Sequence, residues 1–273
     1  KSGVRGIFLE KPISNSLKSA REIVNICNNN NIKLQIDFQR RFNPFYHTVK
    51  KILKNKQFGK IQHCSIYYGA GIANTGSHLF DLLRFLFGNI DSVRGIKSQN
   101  ASNNPADPNI DTEITFKNGI RCFMYSIDVS NYGILEMRVL GSKERLSLDL
   151  AKSTGEYFQV SSNSGLVYKD LNPRPIMTPN KLDAIVLGLD NLVKAIKTDV
   201  DLLCTGNDGY FSLEGVISAI NSTQRNQRIH LPLKANTYEI SSNKVTNLIG
   251  HERENELFLI GTTLTYKILL KII

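Results

Sequence analysis

The sequence predicts an α/β chain: a partial parallel sheet at its start, then an α/β unit built on a large, mostly antiparallel sheet. Three observations predict it. Residues 4 to 38 read strand, helix, strand, the order of parallel strands joined by a crossover helix. Residues 92 to 160 change to short strand-like runs separated by Asn-Gly, Asn-Tyr-Gly and Gly-Ser turns. Asn118-Gly119 between two such runs is a hairpin signal, because a tight hairpin turn needs positive φ at its centre.

Each element has its own warrant. Val4 to Leu9 is an apolar run suited to a buried parallel strand. Ser14 or Ser16 caps a helix reaching about Cys27, with Leu17, Ala20, Ile23, Val24 and Cys27 at helical spacing. Ile32 to Phe38 alternates and reads as a strand. Phe45 to Leu53 reads as a helix closed by Gly59, and Ile61 to Tyr68 as a strand. Thr75 to Phe87 is a helix stopped by Gly88, with Leu79, Leu82, Leu83, Leu86 and Phe87 on its apolar side. Strands follow at Asp111 to Phe116, Ile120 to Val129, Leu135 to Leu140, Arg145 to Leu150 and Tyr157 to Val160. Pro173 to Pro179 reads as a loop, Leu182 to Ile196 and Ser212 to Ser222 as helices, and Ile229 to Leu233 as a last strand.

The bulk numbers bound the function. With 273 residues, one large or two modest domains are expected, and a 41% hydrophobic content supplies a substantial core. A net charge of +10 suits a polyanion partner, but the cations are scattered, with no block beyond Arg40-Arg41 and Lys50-Lys51. Nucleic acid, which needs a clustered stripe, is therefore not an expected partner. Cys27, Cys64, Cys122 and Cys204 are isolated, so neither a zinc site nor a disulfide framework is indicated, and a cytoplasmic setting is expected. Leu257 to Ile273 is apolar but broken by Thr and Lys, too polar for a membrane span. No membrane role is expected, and residues 236–273 are a tail that reads as an extra strand or helix or as a poorly ordered segment.

Two segments carry chemistry. Glu10-Lys11-Pro12 ends the first strand and puts an ammonium at a strand's carboxyl end, where open α/β sheets bind ligands. Asn74 to Asp81 is a glycine turn opening an apolar helix, and it places His78, which titrates near neutrality, on a rigid element. Together they would polarise a hydroxyl or carbonyl and move its proton.

These segments resemble the Gfo/Idh/MocA oxidoreductases. The matching pieces are Glu10-Lys11-Pro12, the stretch Asp37 to Pro44, Gly59-Lys60-Ile61, Asn74 to Gly88, Thr205 to Gly209, and Ile229 to Leu233. The likeness spans roughly residues 3 to 234. It implies a Rossmann domain that binds NAD or NADP, followed by a substrate domain whose large sheet mediates homo-oligomers. It implies substrates that are sugars, nucleotide sugars or polyols. On this resemblance residues 1–40 are the C-terminal remnant of the dinucleotide-binding domain and 41–235 the substrate and oligomerisation domain. The family's GxGxxG turn would precede Lys1, and this chain is expected to bind a dinucleotide poorly, because that turn holds the pyrophosphate. Tyr68 to Asn74 contains GxG but no third glycine, far from any first βα unit.

The resemblance implies roles by residue. Lys11 contacts substrate and nicotinamide ribose; its bland alternative is a solvated strand-end lysine. His78 is the acid/base, against a satisfied buried histidine. Asn74 stands where many members carry an Asp that orients the imidazole. Asp81, one helical turn after His78, either partners the imidazole or is structural. Glu10 and Pro12 shape the cofactor-side loop, with Glu10 orienting Lys11. Arg40 or Arg41 reaches an anionic substrate or cofactor phosphate, against an interdomain ion pair. Asp208 reads as a cap or turn residue, and His47, His63, His230 and His251 as structural or surface. The expected function is hydride transfer to or from a sugar, nucleotide sugar or polyol; the alternative is a non-catalytic remnant acting as a sugar-binding or oligomerisation module.

Overall fold

The computed structural model describes residues 3–164, 168–177 and 183–233. In chain order these form β1 (Gly6–Leu9), α1 (Leu17–Asn29), β2 (Lys33–Ile36), α2 (Pro44–Lys54), β3 (Ile61–Tyr68) and α3 (Gly76–Phe87). There follow β4 (Ile90–Lys97), β5 (Ile110–Phe116), β6 (Arg121–Ser126), β7 (Glu136–Gly141), β8 (Arg145–Asp149), β9 (Thr154–Ser164) and β10 (Lys169–Pro175). The last elements are α4 (Ala184–Thr198), α5 (Gly206–Arg225) and β11 (Ile229–His230).

β1 and β2 pair in parallel, with Leu9 opposite Ile36. α1 crosses between them. Ser16 starts this helix by accepting the Ser19 N–H, and Leu17, Ala20, Val24 and Cys27 form its buried stripe. α4 and the first half of α5 close over the same small sheet. Leu192, Tyr210, Leu213 and Ile217 thereby share one core with Phe8, Leu34, Ile36 and Phe38.

The remaining strands make one large sheet in the order β10-β9-β8-β7-β3-β6-β5-β4-β11. β3 and β6 run parallel, and the other neighbouring pairs are antiparallel. The expected fold class is what the chain adopts. One face of this sheet is buried: Cys64, Ile66, Tyr68, Ile114, Cys122, Met124, Met137 and Val139 pack with Leu79, Phe80 and Leu83 of α3 and Val216 of α5. Among the described residues nothing packs over the other face as α3 and α5 do over this one.

Three expectations change. Pro173 to Pro175, expected in a loop, end a strand: β10 pairs with β9 as far as Pro175. Pro173 and Pro175 are tolerated because β10 is the outermost strand, where a missing N–H breaks no second ladder. β4 is a full strand that its Arg94, Ile96 and Lys97 obscure by breaking the alternation. α5 starts at Gly206, six residues before Ser212, on a capping box between Thr205 and Asp208. Gly206 and Gly209 weaken the helical signal locally, yet they let the helix lie against Leu34, Ile36 and Ile13. No helix among the described residues is long and apolar enough to cross a membrane. The 236–273 tail lies outside the described residues.

Candidate active site

The parallel register brings two chain exits to one edge. Glu10-Lys11 leaves β1 and Asp37-Phe38 leaves β2 side by side, with the Asp37 N–H donating to the Leu9 carbonyl at 2.8 Å. The peptide bond between Lys11 and Pro12 is cis. Lys11 is buried, and its Nζ donates to Asn74 Oδ1 at 3.0 Å and to the Asn74 carbonyl at 3.3 Å. Burial lowers the Lys11 pKa, and the carboxylates of Glu10 and Asp107 oppose that shift.

Asn74 belongs to a wide π-type turn, Gly71–Thr75, that leads into α3. The turn is entered through positive φ at Ala70 and Gly71. Asp107 holds it by accepting the N–H groups of Ala73 and Asn74, each at 2.8 Å, and Asn109 Oδ1 accepts the Gly71 N–H at 3.0 Å. A Cβ at position 71 would strike the Asp107 carboxylate, so glycine is needed there for space as well as for φ.

His78 sits on the first turn of α3, with the Phe38 ring edge-on at 5.6 Å. Its Nδ1 is buried and has no hydrogen-bond partner. Burial pushes the imidazole pKa well below its usual value, and the nearby charges of Lys11 and Arg40 push it further down. His78 is therefore neutral at pH 7. Arg40 donates to the Leu150 carbonyl at 3.3 Å, while its Nε is buried without a partner. Lys11, Asn74, His78 and Arg40 are thus gathered in one place.

The structure gives two of these residues definite partners. Asn74 stands where many members carry an imidazole-orienting Asp; here its side chain accepts from Lys11, because the turn aims it at the β1 exit. Asp81 does not hold His78. It accepts three hydrogen bonds from Arg41, at 3.1, 3.0 and 2.8 Å. Arg41 also pairs with Asp208 at 3.0 Å, and Asp208 with Arg84 at 3.4 Å. Burial raises the Asp81 pKa to about 6 against the Arg41 charge, so Asp81 is ionised at pH 7. Arg41 is held in an ion-pair network with Asp81 and Asp208, while the Arg40 charge lies near Lys11 and His78. Asp208 caps α5 as expected. His47 Nε2 meets the Arg41 carbonyl, His63 stacks on Phe123, His230 lies 3.7 Å from Asp91, and His251 is outside the described residues.

Sequence reasoning missed Asp37 and Asp107. Asp107 lies in an irregular polar loop with no periodic signal. Asp37 was legible only as the residue after β2, and its importance comes from which residue the register sets beside it.

The family model for the oxidoreductase family's C-terminal alpha/beta domain, Gfo/Idh/MocA type, matches residues 69–231. The chain belongs to the Gfo/Idh/MocA oxidoreductase family. It is 28% identical over 225 residues to the uncharacterized oxidoreductase YrbE of Bacillus subtilis (strain 168), covering 74% of this chain. The chain spans 64% of the length of that relative. It is 19% identical over 247 residues to inositol 2-dehydrogenase of Rhizobium meliloti (strain 1021), covering 83% of this chain and 74% of that protein. In fold it is similar to the WlbA dehydrogenase of Bordetella pertussis, solved in complex with NADH and UDP-GlcNAcA. That match has a TM-score of 0.65 at 20% identity, covering 84% of this chain and 73% of the other.

Proposed function

We propose that this chain forms the substrate side of a nicotinamide-dependent oxidoreductase acting on a secondary alcohol or keto carbon of a sugar, nucleotide sugar or polyol. The observation that carries it is the meeting of Lys11 and His78 at the carboxyl edge of a parallel sheet, with Asn74 holding the ammonium. The inositol and UDP-sugar in the relatives' names agree with that substrate class.

The residues fit the nicotinamide end of NAD or NADP: Lys11, between Glu10 and Pro12, lies near the Arg40 charge, and His78 Nδ1 is an orphaned buried nitrogen. When bound, the nicotinamide supplies the hydride chemistry. Lys11 Nζ donates a hydrogen bond to the substrate oxygen and draws electron density toward it. His78 is neutral, so it accepts the hydroxyl proton during oxidation. The charges of Lys11 and Arg40 then favour release of that proton to solvent. The pyrophosphate has no glycine-rich cradle in this sequence. Among the described residues β1 pairs on one side only, and its open edge is where further strands of a nucleotide-binding sheet would pair. Residues 1–40 then act as the end of that unit and 41–235 as the substrate unit.

Equilibrium dialysis with NADH and NADPH tests this. Saturable binding is expected once a nucleotide-binding domain of the family is fused ahead of Lys1, and weak binding without it. Binding in neither form would overturn the redox reading and leave the non-catalytic module.

We also propose that copies associate through the open face of the large sheet. His63 stacks on Phe123 at 5.4 Å, Phe123 on Tyr125 at 6.3 Å and Tyr125 on Tyr67 at 5.8 Å. Such a contiguous aromatic strip on a surface marks an interface. Sedimentation of Phe123→Glu is expected to show protomers where the parent chain shows oligomers, with secondary structure retained. An unchanged sedimentation coefficient would refute it.

A further inference from the structure

Glu10 and Asp37 come together for a reason written in the register. Leu9 faces Ile36 across the parallel ladder, so the next residue of each strand, Glu10 and Asp37, exits at the same level. Asp37 is 5% exposed and Glu10 is half-buried. Their side chains lie within hydrogen-bonding reach of each other. Yet Asp37 Oδ1 has no donor, because two carboxylates both accept and neither donates. A buried acceptor pair of this kind is satisfied only if one member carries a proton.

We propose that Glu10 and Asp37 act as one acid pair holding a single proton, and that this pair sets the charge facing Lys11. The charged groups around it are few. Lys11 follows Glu10 directly, and Asp183 at the start of α4 faces Asp37. Arg40 and Asp107 act on the same ammonium from the other side. The Gln39 side chain donates to Asp37. With one proton the pair carries one negative charge, which balances Lys11. Losing that proton puts a second negative charge beside the ammonium and strengthens its hold on the proton. Burial and the Glu10 charge raise the Asp37 pKa to about 7, which places that change near neutrality. Glu10 and Asp37 are thus positioning residues that act through Lys11. The consequence for catalysis rests on the proposed redox function; the pairing itself does not.

The sign for stability follows. Unfolded, Asp37 loses its proton near 3.8; folded, it keeps it to about 7. The folded chain therefore binds the extra proton between these values, and stability falls as pH rises through that window. Asp37→Asn is expected to flatten that slope.

The direct test is carboxyl and lysine NMR of the chain, with signals assigned by their absence in Asp37→Asn, Glu10→Gln and Lys11→Met. The Asp37 carboxyl is expected to titrate near pH 7, with the Glu10 carboxyl signal responding to it and the Lys11 signal moving over the same interval. In Asp37→Asn, Glu10 is expected to ionise at lower pH and the Lys11 movement near 7 to vanish. If either variant fails to fold, the other single variant supplies the assignment and the parent chain still reports the coupled titration. Both carboxyls already ionised at pH 5, or a Lys11 signal indifferent to them, would overturn the proposal. Turnover is not read, so this result is independent of whether the redox reading stands.

Discussion

Arg41→Ala is expected to lower the free energy of unfolding by about 3–5 kcal/mol. Asp81 is fully buried, and Arg41 supplies the hydrogen bonds to its carboxylate. Without the guanidinium, a desolvated negative charge is left uncompensated, with the Asp208 carboxylate close by. The carboxyl then meets the deficit by holding a proton, so its pKa rises above the present value of about 6. The destabilisation is therefore largest at alkaline pH and shrinks as pH falls. Replacing both partners with apolar groups, Arg41→Met with Asp81→Leu, is expected to cost less than Arg41→Ala alone. Urea unfolding at two pH values measures all of this. A loss under about 1 kcal/mol, the scale of an exposed pair, would show that the network does not hold the segment after β2 to α3. The effect reaches the site, because Arg41 ties the segment after β2 to α3, which carries His78.

The second large effect is on turnover. His78→Asn is expected to reduce kcat by about 10²–10⁴-fold, the usual range for a lost acid/base group. Lys11→Met is expected to reduce it by about 10²–10³-fold, the range for a lost donor at a developing charge. Both are measured as polyol or nucleotide-sugar oxidation by the chain fused to a nucleotide-binding domain of the family. The pH behaviour separates the roles. His78 is held neutral by burial first, then by Lys11 and Arg40, so the acid limb of kcat/KM lies well below the usual histidine range. Lys11→Met removes one of those like charges, and the imidazole pKa must rise. Ring NMR of His78 reads that rise without turnover. Full activity in His78→Asn, or an imidazole unmoved by Lys11→Met, would remove the shared site.

Much of the architecture was legible before any coordinates. The run Ile61 to Tyr68 predicts the bounds of β3, and within it Cys64, Ile66 and Tyr68 are buried at a period of two. The leucines of α3 do the same at helical spacing. Legibility failed where local signals conflict with packing. Gly206 and Gly209 disfavour a helix by propensity, but close contact with Leu34 and Ile36 rewards it. Prolines argue against β10, but its edge position removes their cost.

At the site the division is similar. Lys11 and His78 stand out in sequence because each follows a recognisable element. Their partners do not. Asn74 takes Lys11 because a π-type turn held by Asp107, 33 residues away, aims it there. Asp81 takes Arg41 because α3 packs beside the segment after β2, a meeting across 40 positions.

The sequence by itself determined the order and type of most elements, the two chemistry-bearing segments and the family, since each rests on periodicity, turn chemistry or contiguous motifs. Only the tertiary structure decided which carboxylate faces which cation. That choice depends on strand register and burial between distant residues, and a buried charge takes the partner that packing brings within reach.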